Sequence, residues 1–119
     1  MLRPMRTVYA LARYHDCQAA IDFLTGAFGF RAHEVSKNDD GTVKHAELLA
    51  GDDLIMIGPG RPGGPGIYVA VDDVDAHHDR ARAAGAEITT GLTDQSYGSR
   101  EYACKDPEGN PWFFGTYRP

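Results

Sequence analysis

Cysteine is scarce. The 119-residue chain has two, Cys17 and Cys104, far apart and in no CxxC spacing, so neither a disulfide framework nor a cysteine-based zinc site can be read from them. The expectation is two reduced thiols in a cytoplasmic protein. Long apolar runs are missing too. No stretch approaches the roughly 18 residues of a membrane span, and Met1-Leu2-Arg3-Pro4 lacks the apolar core of a signal peptide. Positive charge is not in excess: the formal net charge is −5, with both signs interspersed, which argues against a surface for nucleic-acid phosphates. The glycine-rich stretch carries no Lys-Ser/Thr of a phosphate-binding loop, and no Ser or Cys nucleophile signature is visible.

What is present fits one compact domain. A chain of this length buries roughly two-thirds of its unfolded surface, enough for a core without staples, and its apolar fraction of 42% is ordinary. One break stands out. Gly58-Pro59-Gly60-Arg61-Pro62-Gly63-Gly64-Pro65-Gly66 can be neither helix nor central strand. It separates a first module, residues 5–58, from a second, residues 67–117, with 59–66 as the linker.

Both modules read in the same order. The first predicts a strand over Thr7–Ala12 and a helix capped by Asp16 with an apolar stripe of Ala20, Phe23, Leu24, Ala27 and Phe28. Gly29 ends the helix. Strands follow over Phe30–Ser36, Val43–Ala50 and Leu54–Ile57. The second predicts a strand over Ile67–Val71, a helix capped by Asp72 or Asp73 that runs to Gly85, a strand over Ala86–Thr90 and a polar loop. Strands over Arg100–Cys104 and Pro111–Tyr117 close the chain. The matched spacing from helix cap to helix end suggests a duplicated βαβββ unit. The fold class is α+β, with two βαβββ modules forming an eight-stranded, cup-shaped mixed sheet and the helices outside. Alternate strand residues would line the cup.

Three stretches resemble the vicinal oxygen chelate superfamily, which includes glyoxalase I, extradiol dioxygenases and drug-sequestering resistance proteins. They are Ala20-Ile21-Asp22-Phe23-Leu24 with Ala27-Phe28-Gly29-Phe30, Val69 to Ala76 with Ala83-Ala84-Gly85-Ala86, and Asp106-Pro107-Glu108-Gly109-Asn110 with Trp112 and Phe114. The resemblance implies one divalent metal in the cup, held by His, Glu or Gln on the first and last strand of each module. Carried onto this chain, those positions are Tyr9, Met56, Gly66 and Phe113, and none is a usual ligand for such a metal. The resemblance also implies dimerisation, so a homodimer is expected.

The expected function is therefore metal-independent binding of a small molecule, of the bleomycin-resistance type, with no cofactor. Phenol, thioether and phenyl suit a flat, partly aromatic ligand. The expected ligand-binding residues are Tyr9, Leu11, His45, Glu47, Met56, Arg100 and Phe113. His45 and Glu47 share one face of a strand and would fix a polar edge. The alternative is a lyase, isomerase or dioxygenase that uses the same pair, with or without one divalent metal. Arg100 meets either a ligand's anionic group or a carboxylate of its own chain. Trp112 is assigned to the core, His77 and His78 to the surface or a half-buried position, and His15 and His33 have no evident partner.

Overall fold

The computed structural model describes residues 7–119. The start of the first module at residue 5 and the Met1–Pro4 stretch lie outside the described residues. The elements are β1 (Ala10–Tyr14), α1 (Cys17–Phe28), β2 (Arg31–Lys37), β3 (Val43–Ala50), β4 (Asp53–Pro59), β5 (Ile67–Ala70), α2 (Val74–Ala83), β6 (Glu87–Asp94), β7 (Arg100–Lys105) and β8 (Pro111–Gly115). The repeated βαβββ order is therefore present. The eight strands fall into two four-stranded mixed sheets, ordered β1-β4-β3-β2 and β5-β8-β7-β6. In each, the first strand runs parallel to the last and the remaining pairs are antiparallel. No helix among the described residues is long and apolar enough to cross a membrane.

Side-chain alternation decides which face each sheet buries. Ala12 and Tyr14 of β1, Ala46 and Leu48 of β3, and Ile55 and Ile57 of β4 are all buried, beneath the stripe of α1 that contains Ala20, Ile21, Leu24 and Phe28. Tyr102, Cys104, Trp112 and Phe114 do the same under α2. The helix-covered faces of the two modules share one core. The Phe28 ring lies 4.7 Å from that of Phe114 and 5.4 Å from that of Trp112, centroid to centroid. Trp112 is fully buried, as its alternation with Phe113 predicts.

Asp106 ties the modules at one end of this core. Its buried carboxylate accepts the Tyr14 hydroxyl at 2.6 Å and the Trp112 indole N–H at 3.0 Å. The backbone amides of Glu108 and Asn110 satisfy its other oxygen at 3.1 and 3.0 Å. Glu108 in turn accepts the amides of His15 and Asp16. The Asp106–Asn110 turn is thus a polar clasp between the modules.

Several boundaries differ from the sequence reading. The first strand is not Thr7–Ala12 but starts at Ala10 and runs to Tyr14, because Tyr14 belongs to the core and to the Asp106 clasp. Part of the polar loop after Thr90 is strand: β6 reaches Asp94, with register shifts on either side of Thr90. The last strand ends at Gly115 rather than Tyr117, and Gly58 and Pro59, read from sequence as unfit for a central strand, close β4 where it pairs with Arg13 and Tyr14 of β1. Asp16 and Asp73 are the N-caps, accepting the amides of Ala19 and Ala76 at 3.0 Å each.

Candidate functional site

The faces turned away from the helices carry the candidate site. In the first module the register sets Leu11 beside Met56, Met56 beside Glu47, and Glu47 beside Glu34. These four form a row across the sheet. His45 lies on the same face of β3, and its Nε2 is 3.2 Å from Glu47 Oε2. Leu11 is 43% exposed, so the described residues leave this end of the wall open.

In the second module Phe113 occupies the corresponding face at 42% exposure, flanked in register by Tyr68 and Ala103. Gly66 places it. A Cβ at Gly66 would come within 2.6 Å of the Phe113 ring, and φ is +108° there, a backbone conformation suited to glycine. The position implied for a fifth-strand metal ligand is thus filled by an aromatic ring. Farther along, a Cβ at Gly115 would meet Glu101 Cγ at 2.6 Å and Tyr68 Oη at 2.8 Å. Glycine at 115 is required by space, which Glu101 and Tyr68 use to converge.

Tyr9 precedes β1 and is 40% exposed. It lines a cavity of about 490 Å³ with Ile55 and Tyr68. A second cleft, of about 350 Å³, opens between β1, the linker and β5, lined among others by Leu11, Arg13, Arg61, Ile67 and Trp112.

Arg100 is not brought to these faces. Glu101 takes the open side of β7, so alternation sends Arg100 to the other side. There it donates to Asp75 at 2.7 Å and Asp94 at 3.1 Å, and these carboxylates raise its pKa. The pairing within the chain, one of the two roles open to it from sequence, is the one found. The sequence reading assigns none of Tyr68, Tyr97 and Glu101 to the site. The signal was available for Glu101, because Tyr102 and Cys104 are core-type residues and their neighbours must face outward.

The histidines divide by packing. His77 is half-buried: its Nε2 lies 3.1 Å from the Phe28 carbonyl and its Nδ1 2.6 Å from the Tyr102 hydroxyl. His78 pairs with Asp79 at 2.9 Å. Among the described residues no three His, Cys, Asp or Glu side chains converge as a metal ligand set. Tyr9, Met56, Gly66 and Phe113 do not fit a divalent ion, and His45 with Glu47 supplies two donors where such a site takes three or four.

Residues 6–114 match the model of the Glyoxalase/Bleomycin resistance protein/Dioxygenase superfamily. An uncharacterized protein of Mycobacterium bovis is 34% identical over 117 residues, covering 84% of this chain and 76% of its own. The crystal structure of TioX from Micromonospora sp. ML1 is similar at 33% identity and a TM-score of 0.82, over 96% of this chain and 98% of that one. The fosfomycin resistance protein FosX from Mesorhizobium loti shares the fold at 18% identity and a TM-score of 0.67, over 99% and 95%.

Proposed function

The chain belongs to the Glyoxalase/Bleomycin resistance protein/Dioxygenase superfamily, and from that premise we propose that it is a metal-independent small-molecule binding protein. It holds a flat, partly aromatic ligand against its open sheet faces, by sequestration rather than turnover. The observation that carries this reading is the replacement of the metal-ligand positions by apolar groups, above all the Phe113 ring lying over Gly66. Leu11, Met56 and Phe113 supply contact surface, with stacking on the ring contributing about 0.5–1.5 kcal/mol beyond area burial. Glu47, with His45 beside it, offers an acceptor to the ligand's polar edge. The site of action is the cytoplasm. Both thiols are buried, and burial pushes that of Cys104 up to about 12, which makes it a poor nucleophile.

Thermal-shift screening against flat aromatic natural products and common metabolites tests the reading. A binder of the native state stabilises it by about 2.7 kcal/mol at a hundredfold excess over its dissociation constant. Phe113→Ala is expected to weaken any flat ligand through lost contact area. Glu47→Gln is expected to weaken only ligands with a donor at that edge. If both variants stay folded and neither changes affinity, the site is misplaced. Stoichiometric transition metal after chelator-free purification, together with turnover that chelator abolishes, would replace this reading with an enzyme using His45 and Glu47.

A further inference from the structure

We infer that the open face of the second module selects an organic cation, an ammonium or iminium nitrogen on a planar body, in a corner built by Tyr68, Tyr97, Phe113, Tyr117 and Glu101. The inference rests on the binding function proposed above and adds the charge of the ligand.

Four aromatic rings and one carboxylate surround an open hollow of about 520 Å³ there. The Tyr97 and Tyr117 rings meet edge to face, with centroids 6.0 Å apart and planes at 81°, so they form two perpendicular walls. Tyr68 and Phe113 stand side by side, in register on neighbouring strands. The Tyr68 hydroxyl donates to the Tyr117 carbonyl at 2.7 Å, which fixes that ring. Aromatic faces are negative at their centres and attract a cation lying over them.

Glu101 supplies the formal charge. Its Oε1 accepts the Tyr97 hydroxyl at 2.9 Å, which leaves Oε2 for a ligand. That contact also pushes the Tyr97 phenol up, so it stays a donor. Among the described residues no Lys, Arg or His forms an ion pair with Glu101. Arg118, the cation that acts on Tyr68, is paired with Asp72 at 3.0 Å. Bare Gly115 opens the space in which Glu101 and Tyr68 converge, and its φ is one that any residue adopts. A small residue is therefore needed there for the hollow and not for the chain path. An anion at this place would face Glu101 without a partner, whereas a neutral aromatic would gain the stacking but not the charge.

Chemical-shift titration of the full chain with three probes tests the inference. They are N-methylquinolinium as cation, quinoline at a pH where its nitrogen is unprotonated, and naphthalene-1-sulfonate as anion. N-methylquinolinium is expected to bind about tenfold more tightly than quinoline, with the sulfonate weakest. Glu101→Gln keeps the acceptor for Tyr97 and is expected to cut that preference below about threefold while quinoline's affinity holds. Gly115→Ala should weaken the cation by displacing Glu101 and Tyr68, with circular dichroism confirming the fold. Equal affinity for all three probes overturns the inference, as does a preference that survives Glu101→Gln. If quinoline binds without charge preference and Phe113→Ala weakens it, the flat-ligand reading stands and the cation inference fails. If no probe binds, both fail.

Discussion

His77 shows how one side chain joins the two modules and makes stability depend on pH. Its ring reaches from α2 to the end of α1, where Nε2–H donates to the Phe28 carbonyl. Nδ1 is then left to accept the Tyr102 hydroxyl. That pattern requires neutral imidazole. Burial lowers its pKa from 6.5, and the nearby Arg80 charge adds to the shift, against the Phe28 hydrogen bond. The unfolded chain therefore takes up a proton first as pH falls. The stability contributed by neutral His77 is complete above 6.5 and is lost progressively below it, down through the depressed native value. His77→Leu is expected to cost about 1–3 kcal/mol at neutral pH, because the Phe28 carbonyl and the Tyr102 hydroxyl both lose their side-chain partner. The variant should also lose part of the decline in stability on acidification. Urea unfolding of both proteins at about pH 7.5 and about pH 5 measures this, with the other histidines cancelling in the difference. An identical decline in the two would show that His77 does not carry the dependence.

At the scale of elements, legibility from sequence followed burial on one face. α1 and β3 were readable to the residue or nearly so, because a core on one side imposes a strict period on them. β6 was not. It is a largely exposed edge strand interrupted by register shifts, and only Ile88 and Leu92 pack against the core, so its apolar period is too sparse to read and its polar second half resembles a loop. The same reasoning explains the site. Alternation against a recognisable core face puts Leu11, His45 and Glu47 on the open side, the resemblance implies the positions Met56 and Phe113, and the register places all five away from the helices. The chemistry of Arg100 fits either a ligand or a carboxylate of its own chain, but alternation puts it on the helix side, where it meets Asp75 and Asp94. Tyr68 stood beyond reach because its pairing with Phe113 joins distant segments. Caps were legible because a short acceptor side chain ahead of an apolar-periodic run has a local cause. Asp73 caps α2 by accepting the Ala76 amide at 3.0 Å, and α2 buries little beyond Val74 and Ala81. Asp73→Ala is therefore expected to lower stability by about 1 kcal/mol, or roughly 3–6 °C of melting temperature. Calorimetry reads this directly, and an unchanged melting temperature would mean that packing alone holds the helix.

The whole molecule is flat and its sheets are incomplete. It measures 49 × 38 × 22 Å. Its radius of gyration of 14.5 Å exceeds the roughly 13.5 Å expected for a compact chain of this length. β1 and β5 stand at the ends of their sheets, each hydrogen-bonded on one side only. Exposed edges of this kind invite pairing with another chain, and apolar side chains collect around them: Val8 is 87% exposed, and Tyr9, Leu11, Tyr68 and Phe113 are each about two-fifths exposed. Each open wall, with its row of Leu11, Met56 and Glu47 or its pair of Tyr68 and Phe113, needs an opposing wall to enclose a ligand. A second copy of the same chain would supply one under two-fold symmetry, with two equivalent sites. The expected state is therefore a homodimer, with sedimentation equilibrium giving twice the 13.0 kDa chain mass. A specific interface of this kind buries about 1,600 Å² in total. Amides on the free edges of β1 and β5 should then gain protection from hydrogen exchange in the dimer and lose it on dilution, while those of β3, interior to its sheet, keep theirs. A monomer at every concentration, with the β1 and β5 edges exchanging freely throughout, would remove the dimer. Ligand contact would then be confined to one open wall at a time.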